Sequence, residues 1–559
     1  MPDLVEIEDS KRDVPADAQD RGKLEDDSGL DVTVYVRPDP AAVPPFSVED
    51  EAAKRPSERR YLSAEEAAAA YGAASGDLHA VEQFATAHGL AVLRVNQAAR
   101  SVKLGGTVAA INGAFGVELH RVALADVTYR SHAGGVHVPA ELAGIVQAVV
   151  GLDNRPLGRK YLRHAPDQLQ QSIRSHQHGA IKLPLNTYFP TQLEALYDLP
   201  AGDASGETVA ILAFNGVLGQ DGPSAPGGYE PAILEHYFTE VLGLSMPDIT
   251  DITIQGPGND PGNGTTPGDS SGEVYLDLSM VGALANGAKI IMYFTEFNEQ
   301  GWVDAVSEAS TDTANDPSVI SISYGNPERG RGSAWSSAAV KQVNQALKAA
   351  AARGLTVTVA SGDEGASDGL NDNKAHVDFP ASSPWVLGCG GTRLEAADGV
   401  ISSEVVWNDL NPNPEQSHGA TGGGVSAIIP IPSWQQTAGV PAEAGTDHRG
   451  RGVPDVSSLA DPETPLAVAQ PEGVGGVGGT SAAAPLWAAL IARCNASLDG
   501  KRVGFLNQLL YTFPAGTLRD ITTGNNKMPP DGVGYDAAHG WDACTGLGSP
   551  GGKALLKAL

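Results

Sequence analysis

Cysteine is scarce in this chain, with only Cys389, Cys494 and Cys544 among 559 residues. Three widely spaced cysteines do not make the even framework of a small disulfide-rich domain. They also lack the paired spacing of a structural zinc site. The fold must therefore rest on a hydrophobic core, and 41% hydrophobic with 19% charged residues is the composition of a globular protein.

Long apolar runs are absent as well. No stretch of about 18 apolar residues occurs, so the sequence predicts no transmembrane helix. The first 31 residues are acidic and polar, and they lack the basic and apolar segments of an ordinary signal peptide. Positive charge is low, with 37 Lys and Arg against 67 Asp and Glu, a net charge of −30. This balance argues against nucleic acid and anionic membranes as partners, and it suits a protein that stays soluble in acid.

Composition divides the chain into four parts. Residues 1–30 are charged and free of aromatic residues, and we expect them to be disordered. Residues 31–163 mix strand and helix patterns, as in a small α+β domain, with a helix expected over 139–150. Residues 164–182 are rich in Gln, His and Ser and are interpreted as a linker. Residues 183–559 form a second, larger domain.

The larger domain alternates apolar runs with helical patterns. This alternation predicts an α/β fold, with a parallel central sheet covered by helices on both faces. Active sites in such sheets lie beyond the carboxyl ends of the strands. The predicted strands are 209–214, 289–294, 319–323, 355–360 and 385–389, and the predicted helices are 231–244, 271–286, 302–310, 336–353 and 482–496.

The stretch 478–485 reads Gly-Gly-Thr-Ser-Ala-Ala-Ala-Pro and precedes a helical run. Its glycines allow a sharp turn and close backbone approach. Ser481 would then lie at a helix N-terminus, where the dipole and free N–H groups favour negative charge. A nucleophile suits this place, although an N-capped core helix explains the octet equally well.

A serine nucleophile needs a base, and two carboxylates are candidates. Glu273 and Asp277 are four residues apart, so they share one helix face. On a half-buried helix they raise each other's pKa through desolvation and repulsion, and they titrate as a pair. The plainer alternative is an acidic, solvent-exposed helix face.

A third carboxylate, Asp363, follows a buried strand and a glycine. That position is at the functional edge of a parallel sheet, although an Asp in a strand-ending turn is also frequent. Neither His376, His418 nor His539 is well placed as a base. A carboxylate can replace histidine in acid, where imidazole is protonated, and a protonated Asp363 could donate a hydrogen bond to an oxyanion.

Together, Glu273-x-x-x-Asp277, Ser361-Gly362-Asp363 and Gly478-Gly479-Thr480-Ser481 resemble the motifs of the sedolisins, the serine-carboxyl peptidases, and among them the kumamolisins. The resemblance covers about residues 30–559. It implies a subtilisin-like catalytic domain behind an activation prodomain. It also implies roles for the four residues just described: Ser481 as nucleophile, Glu273 as general base and later acid, Asp277 orienting Glu273, and Asp363 stabilising the oxyanion.

The resemblance implies further sites. Asp378 matches an aspartate beside the pocket for the residue before the scissile bond, so a basic residue would be favoured there. One calcium ion is implied, bound by side chains of Asp520 and Asp542 and by carbonyls of Ile521, Ala538 and Gly540. Two departures stand out: Ala213 and Tyr324 occupy positions where kumamolisins extend the carboxylate network with a glutamate and a tryptophan.

The function that follows is an acid-active endopeptidase made as a self-processing zymogen and exported from the cell. The prodomain, 31–163, would be its folding aid and inhibitor, with the activating cut between 170 and 183. Peptides and proteins would be its substrates, without nucleic acid or membrane partners, and the enzyme would be a monomer. Alternatives are a tripeptidyl exopeptidase of the same family, a non-catalytic calcium-stabilised binding protein, and a neutral Ser-His-Asp hydrolase.

Overall fold

The computed structural model describes residues 4–125, 127–175, 183–219, 222–263, 268–330, 335–413, 416–444, 446–529 and 532–559. Within these residues no helix is both long enough and apolar enough to cross a bilayer.

The N-terminal part contains eleven strands and five α-helices among the described residues. The strands are β1 Leu4–Glu6, β2 Gln19–Lys23, β3 Gly29–Val36, β4 Ala91–Asn96, β5 Ser101–Thr107, β6 His120–Leu124, β7 Val127–Ser131, β8 His137–Pro139, β9 Val146–Val150, β10 Arg159–Lys160 and β11 Arg163–His164. The helices are α1 Val48–Ala52, α2 Ala64–Tyr71, α3 Ser75–Ala87, α4 Val108–Phe115 and α5 Asp167–Ser175.

The larger domain follows. Its strands are β12 Thr208–Val217, β13 Ser224–Ala225, β14 Asp248–Thr253, β15 Lys289–Glu296, β16 Val319–Ile322, β17 Tyr324–Pro327, β18 Thr356–Ala360, β19 Asp378–Phe379, β20 Leu387–Ala397, β21 Val400–Val406, β22 Gly424–Pro430, β23 Gly450–Val453, β24 Val456–Leu459, β25 Leu466–Gln470 and β26 Gly473–Gly478. Its helices are α6 Leu193–Leu196, α7 Pro231–His236, α8 Ser271–Leu284, α9 Glu299–Thr311, α10 Ser337–Ala352, α11 Thr480–Ser497, α12 Asn507–Leu510 and α13 Gly552–Ala558.

The central sheet confirms the predicted architecture. Its main path runs β14-β15-β12-β16-β18-β20-β21. Every pair from β14 to β20 is parallel, and only β21 at the edge is antiparallel. Alternate residues of each strand point to opposite faces. On β12, Ile211 therefore joins the core under α8 and α11, while Leu212 joins the core under α9 and α10. Burial on both faces explains the continuous apolar runs.

The N-terminal domain folds around a four-stranded antiparallel sheet in the order β4-β5-β3-β9. Its residues 139–150, expected to be helical, form a turn and then β9. Every second residue of β9 is buried, namely Val146, Ala148 and Val150. This alternation stabilises a strand, although the local composition favours a helix. The predicted helix at this position was wrong.

Residues 4–30 are ordered, contrary to the expected disorder. Strand β1 pairs with β8, and β2 pairs with β6. Three isolated apolar residues, Ile7, Leu24 and Leu30, are buried in the core of the N-terminal domain. Each lies among polar neighbours, so the local composition hid contacts that only the tertiary fold creates.

The N-terminal sheet docks on the outer face of α9. Tyr35 Oη and Thr33 Oγ1 donate hydrogen bonds to the buried Asp304 carboxyl group at 2.7 and 2.9 Å. Burial raises the pKa of Asp304 to about 6. The expected linker, 164–182, begins inside β11 and carries α5, whereas its residues 176–182 lie outside the described part of the chain.

Candidate active site

Ser481 lies in the first turn of α11, where the sequence predicted it. Gly479 precedes the helix with a φ of +104°, a conformation that favours glycine. A Cβ there would lie well under 3.0 Å from the Tyr161 carbonyl oxygen and 2.7 Å from Asp363 Oδ2. Pro485 lacks an N–H group, so the Ser481 carbonyl loses its helical donor. The turn is therefore shaped for close approach of another backbone.

Glu273 and Asp277 lie on α8, and both are buried in the interior. Burial, reinforced by the Asp277 carboxylate, raises the pKa of Glu273 well above its ordinary value. Burial also raises the pKa of Asp277, and a hydrogen bond from Ser323 Oγ at 2.6 Å offsets part of that rise. The acidic helix face is therefore not solvent-exposed, and the pair retains protons at higher pH than free carboxyl groups do.

Ser481 and Glu273 are neighbours. The Ser481 hydroxyl partly offsets the raised pKa of Glu273, yet its geometrically defined hydrogen bond goes to the Ser323 carbonyl oxygen at 3.2 Å. Neither carboxyl oxygen of Glu273 has a hydrogen-bond partner among the described residues. A catalytic hydrogen bond often forms only when the reacting complex tightens. To donate to Glu273, the Ser481 hydroxyl would have to leave the Ser323 carbonyl oxygen.

Asp363 is held against the same helix start by Thr480. The Thr480 N–H and Oγ1 both donate to Asp363 Oδ1 at 2.8 Å, and the Gly362 N–H donates to Thr480 Oγ1 at 3.1 Å. Burial raises the pKa of Asp363 to about 7, although Arg163 and Thr480 act in the opposite direction. Below that pH the group is neutral and can donate a hydrogen bond.

An extended segment, Arg159 to His164, runs through the cleft in front of Ser481. Arg159 and Lys160 pair antiparallel with β17, and Arg163 and His164 pair antiparallel with β26. Between the two pairings, the Tyr161 N–H donates to the Ser323 carbonyl at 3.3 Å. The Tyr161 carbonyl accepts from the Ser481 N–H at 3.3 Å. The chain thus places one of its own peptide bonds, Tyr161–Leu162, at the candidate nucleophile.

The Tyr161 side chain fills the pocket beside Asp378. Its hydroxyl donates to Asp378 Oδ2. Burial and the nearby Asp368 raise the pKa of Asp378 well above its ordinary value. Asp378 therefore lies beside the side chain of the residue that precedes the Tyr161–Leu162 bond.

Sequence reasoning missed two features of this site. Ser323 comes directly after strand β16, at the carboxyl edge of the sheet, and that position was the available clue. The second feature is the 159–164 segment. Its basic residues, Arg159, Lys160 and Arg163, stand next to an acidic domain, and this charge contrast was its clue.

The contacts of the histidines, of Ala213 and of Tyr324 differ from those of the carboxylates around Ser481. Among the described hydrogen bonds, none joins a histidine to Ser481, and His376 instead contacts Asp372 at 2.9 Å. Ala213 and Tyr324 are both buried, and Tyr324 packs against Phe214 with ring centroids 4.9 Å apart. Ala213 offers no carboxyl group, so this position adds no further acid to the pair Glu273 and Asp277.

The candidate calcium residues lie on two adjacent loops, away from Ser481. Gly540 N donates to Asp520 Oδ2 and Ala538 N donates to Asp542 Oδ2, each at 3.1 Å. No described hydrogen bond uses the carbonyl oxygens of Ile521, Ala538 or Gly540. The described residues contain no group of three or more His, Cys, Asp or Glu that could hold a metal. Two carboxylates and three carbonyls that accept no described hydrogen bond would together make an all-oxygen donor set of the kind that suits calcium.

Matches to two protein-family models identify the class of enzyme to which the chain belongs. The Pro-kumamolisin activation domain family matches residues 16–155. The Subtilase family matches residues 258–512, which include Glu273, Asp363 and Ser481. The chain is a serine-type peptidase of subtilisin-like fold with an N-terminal prodomain.

Full-length relatives narrow this class. Kumamolisin from Bacillus sp. (strain MN-32) is 42% identical over 555 residues, 98% of this chain and 95% of that protein. Tripeptidyl-peptidase sed5 from Aspergillus fumigatus is 26% identical over 599 residues, 100% of this chain and 97% of that protein. A structure of Pseudomonas sedolisin, a serine-carboxyl proteinase, complexed with two molecules of pseudo-iodotyrostatin matches with a TM-score of 0.54 at 29% identity, covering 67% of this chain and 98% of that chain. The chain belongs to the sedolisin family.

Proposed function

We propose that the protein is an acid-active serine-carboxyl endopeptidase made as a self-processing zymogen. The observation that carries the proposal is the hydrogen bond from the Ser481 N–H to the Tyr161 carbonyl oxygen, together with the buried Glu273 beside the Ser481 hydroxyl. Ser481 Oγ attacks the carbonyl carbon, and Glu273 takes its proton. The pair with Asp277 titrates in two macroscopic steps, and the first ionisation supplies the single negative charge of the base.

The oxyanion that this attack forms would accept hydrogen bonds from two donors, the Ser481 N–H and the protonated Asp363 carboxyl group. Preorganised donors of this kind account for a large part of acyl-transfer catalysis. Glu273 next returns its proton to the leaving amine, the C–N bond breaks, and the acyl group stays on Ser481. Water hydrolyses this ester by the same route. Because Asp363 donates only when neutral, its raised pKa supports activity in acid.

We propose Tyr161–Leu162 as the first processing bond. It lies upstream of the cut expected between 170 and 183, which would be a second cleavage that releases α5. Until the first cut, the 159–164 segment blocks the cleft, so the prodomain acts as an inhibitor. In the free enzyme Asp378 would accept a hydrogen bond from the residue before the scissile bond, and it would favour a basic residue there at a pH at which its carboxyl group is ionised.

Endopeptidase activity is favoured over tripeptidyl release by the path of the bound segment. Upstream of Arg159 the chain continues along the enzyme, where the Leu157 N–H donates to the Phe297 carbonyl at 3.0 Å. The cleft therefore accommodates more than three residues before the cut. The tripeptidyl alternative rests on relatives such as sed5, and peptides with blocked N-termini discriminate between the two.

We further propose one calcium ion, held by Asp520 and Asp542 with the carbonyls of Ile521, Ala538 and Gly540. Bound calcium would tie the two loops together. Action outside the cell, on peptides and proteins, as a monomer without nucleic acid or membrane partners, completes the proposal. The acidic surface supports it.

The decisive experiment compares the wild-type precursor with Ser481→Ala after a shift to pH 4. We expect the wild type to release a fragment that begins at Leu162, identified by intact mass and N-terminal sequencing. The variant should stay intact. Ser497→Ala, at the far end of the same helix, should process normally. Complete processing of pure Ser481→Ala would overturn the proposal.

A further inference from the structure

The Arg163 side chain of the bound segment makes contacts that the catalytic scheme does not use. Its Nη2 donates to Glu364 Oε1 and, at 3.3 Å, to the Asp363 carbonyl oxygen. Its Nε lies 3.4 Å from Asp363 Oδ2. Arg163 is the second residue after Tyr161–Leu162, so it occupies the position called P2′ in a substrate cut at that bond.

The two carboxyl groups that face Arg163 differ in burial. Asp363 is buried, and its pKa of about 7 makes it neutral at the acid pH of the proposed reaction. The Glu364 side chain is 35% exposed and forms an ion pair with Arg163 Nη2. Recognition of a cation at P2′ therefore falls to Glu364.

Glu364 is also held in place independently of the bound segment. The Gly365 N–H donates to the Ala420 carbonyl at 3.0 Å, and the Ala420 N–H donates to the Asp363 carbonyl at 2.9 Å. The Glu364 carbonyl accepts from Ser367 Oγ at 3.0 Å. These bonds fix the backbone on both sides of Glu364, so its carboxylate stays at the cleft after the prodomain leaves.

We propose that Glu364 is a specificity-determining residue that selects peptides with Arg or Lys two residues after the scissile bond. The inference rests on the proposed peptidase function and on its cleavage register. The segment 159–164 would then resemble a favoured substrate, because in the precursor Arg163 occupies the subsite that a substrate cation would occupy in the free enzyme.

The test uses the processed enzyme and peptides that share one sequence, except for Arg, Gln or Glu at P2′. Wild type should show kcat/KM about fivefold higher for the Arg peptide, the size of one partly exposed ion pair. Glu364→Gln should bring the ratio close to one, Glu364→Asp should keep part of it, and Glu364→Lys should favour a Glu peptide. In 1 M NaCl the wild-type ratio should shrink, because salt screens the pair.

Glu472→Gln is the matched control. Glu472 contacts Arg174, which lies beyond a short peptide's reach, so this variant should keep the wild-type ratio. A wild-type ratio near one, or an unchanged ratio in Glu364→Gln, would overturn the inference while leaving the peptidase intact. Failure of the wild type to cleave either peptide would instead overturn the proposed function.

Discussion

The backbone N–H of Ser481 donates a hydrogen bond to the carbonyl oxygen of Tyr161 at 3.3 Å. A carbonyl bound in this way lies beside the nucleophile's own helix start, where negative charge is stabilised. In the proposed scheme, the same contact would both inhibit the precursor and prepare its first cleavage. The protonation of the buried carboxyl groups around this contact would then decide between the two outcomes.

Replacing Glu273 with Gln should reduce peptide hydrolysis by about 10³-fold, within the range for loss of a general base. Glutamine keeps the shape of the side chain but cannot take the Ser481 proton. Initial rates on a chromogenic peptide at pH 4 measure the effect. Glu235→Gln, on helix α7, serves as the control. Near-normal hydrolysis by Glu273→Gln would exclude Glu273 as the general base.

Asp363→Asn should change the pH dependence of peptide hydrolysis more than it lowers the hydrolysis rate in acid. Wild-type activity should fall as the pH rises through about 7, because Asp363 then loses the proton that it donates. Asparagine donates through its amide at every pH. A pH–rate profile of both enzymes checks this, and an identical alkaline limb in the variant contradicts the assigned role.

Gly479→Ala should abolish self-processing, since its Cβ would collide with the Tyr161 carbonyl oxygen and crowd Asp363. We expect an uncleaved but folded precursor on a gel after acid shift. The matched control is Gly500→Ala, where φ is also positive, at +77°, but no atom lies within 4 Å of the added Cβ. Equal loss of processing in both variants would mean that backbone strain alone is responsible.

Stability should decrease as the pH rises, because several buried acids keep their protons in the folded state. Burial raises the pKa of Asp363 and of Asp368 to about 7, and that of Asp461 to about 8. Raised folded-state values stabilise the protein fully below the unfolded pKa near 4, progressively less above it, and no longer beyond the folded pKa.

Thermal melts of the Ser481→Ala precursor between pH 4 and 9 measure this effect without self-cleavage. Tm should fall across pH 4 to 8 and then level. Asp461→Asn should flatten the slope, because asparagine cannot titrate. A Tm that rises over this range would contradict the protonated state of these buried acids.

Removing calcium should lower the Tm of the processed enzyme, because an ion bound only to the folded state stabilises it by mass action. Scanning calorimetry with excess chelator, followed by restored calcium, measures the difference. Asp542→Asn should lose the calcium-dependent shift, whereas Asp398→Asn, in an exposed turn, should retain it. An unchanged melt in chelator would rule out the site.

Much of the catalytic domain was predictable from local pattern. The five apolar runs became β12, β15, β16, β18 and β20 because strands buried on both faces must be apolar along their whole length. Asp363, placed after such a run, could be assigned to the carboxyl edge of the sheet. Glu273 and Asp277 share a helix face by the period of the helix alone.

Other features depend on contacts between residues far apart in sequence. Ile7 and Leu24 are ordered only because the N-terminal core covers them. No local pattern shows that Ser323 bonds Asp277, or that Glu364 contacts Arg163, 201 residues away. By itself, the sequence determined the parallel sheet and the set of candidate carboxyl groups, because backbone periods and residue chemistry are local properties. The tertiary structure alone decided which peptide bond faces Ser481, because that depends on how two domains pack and on where the chain between them must pass.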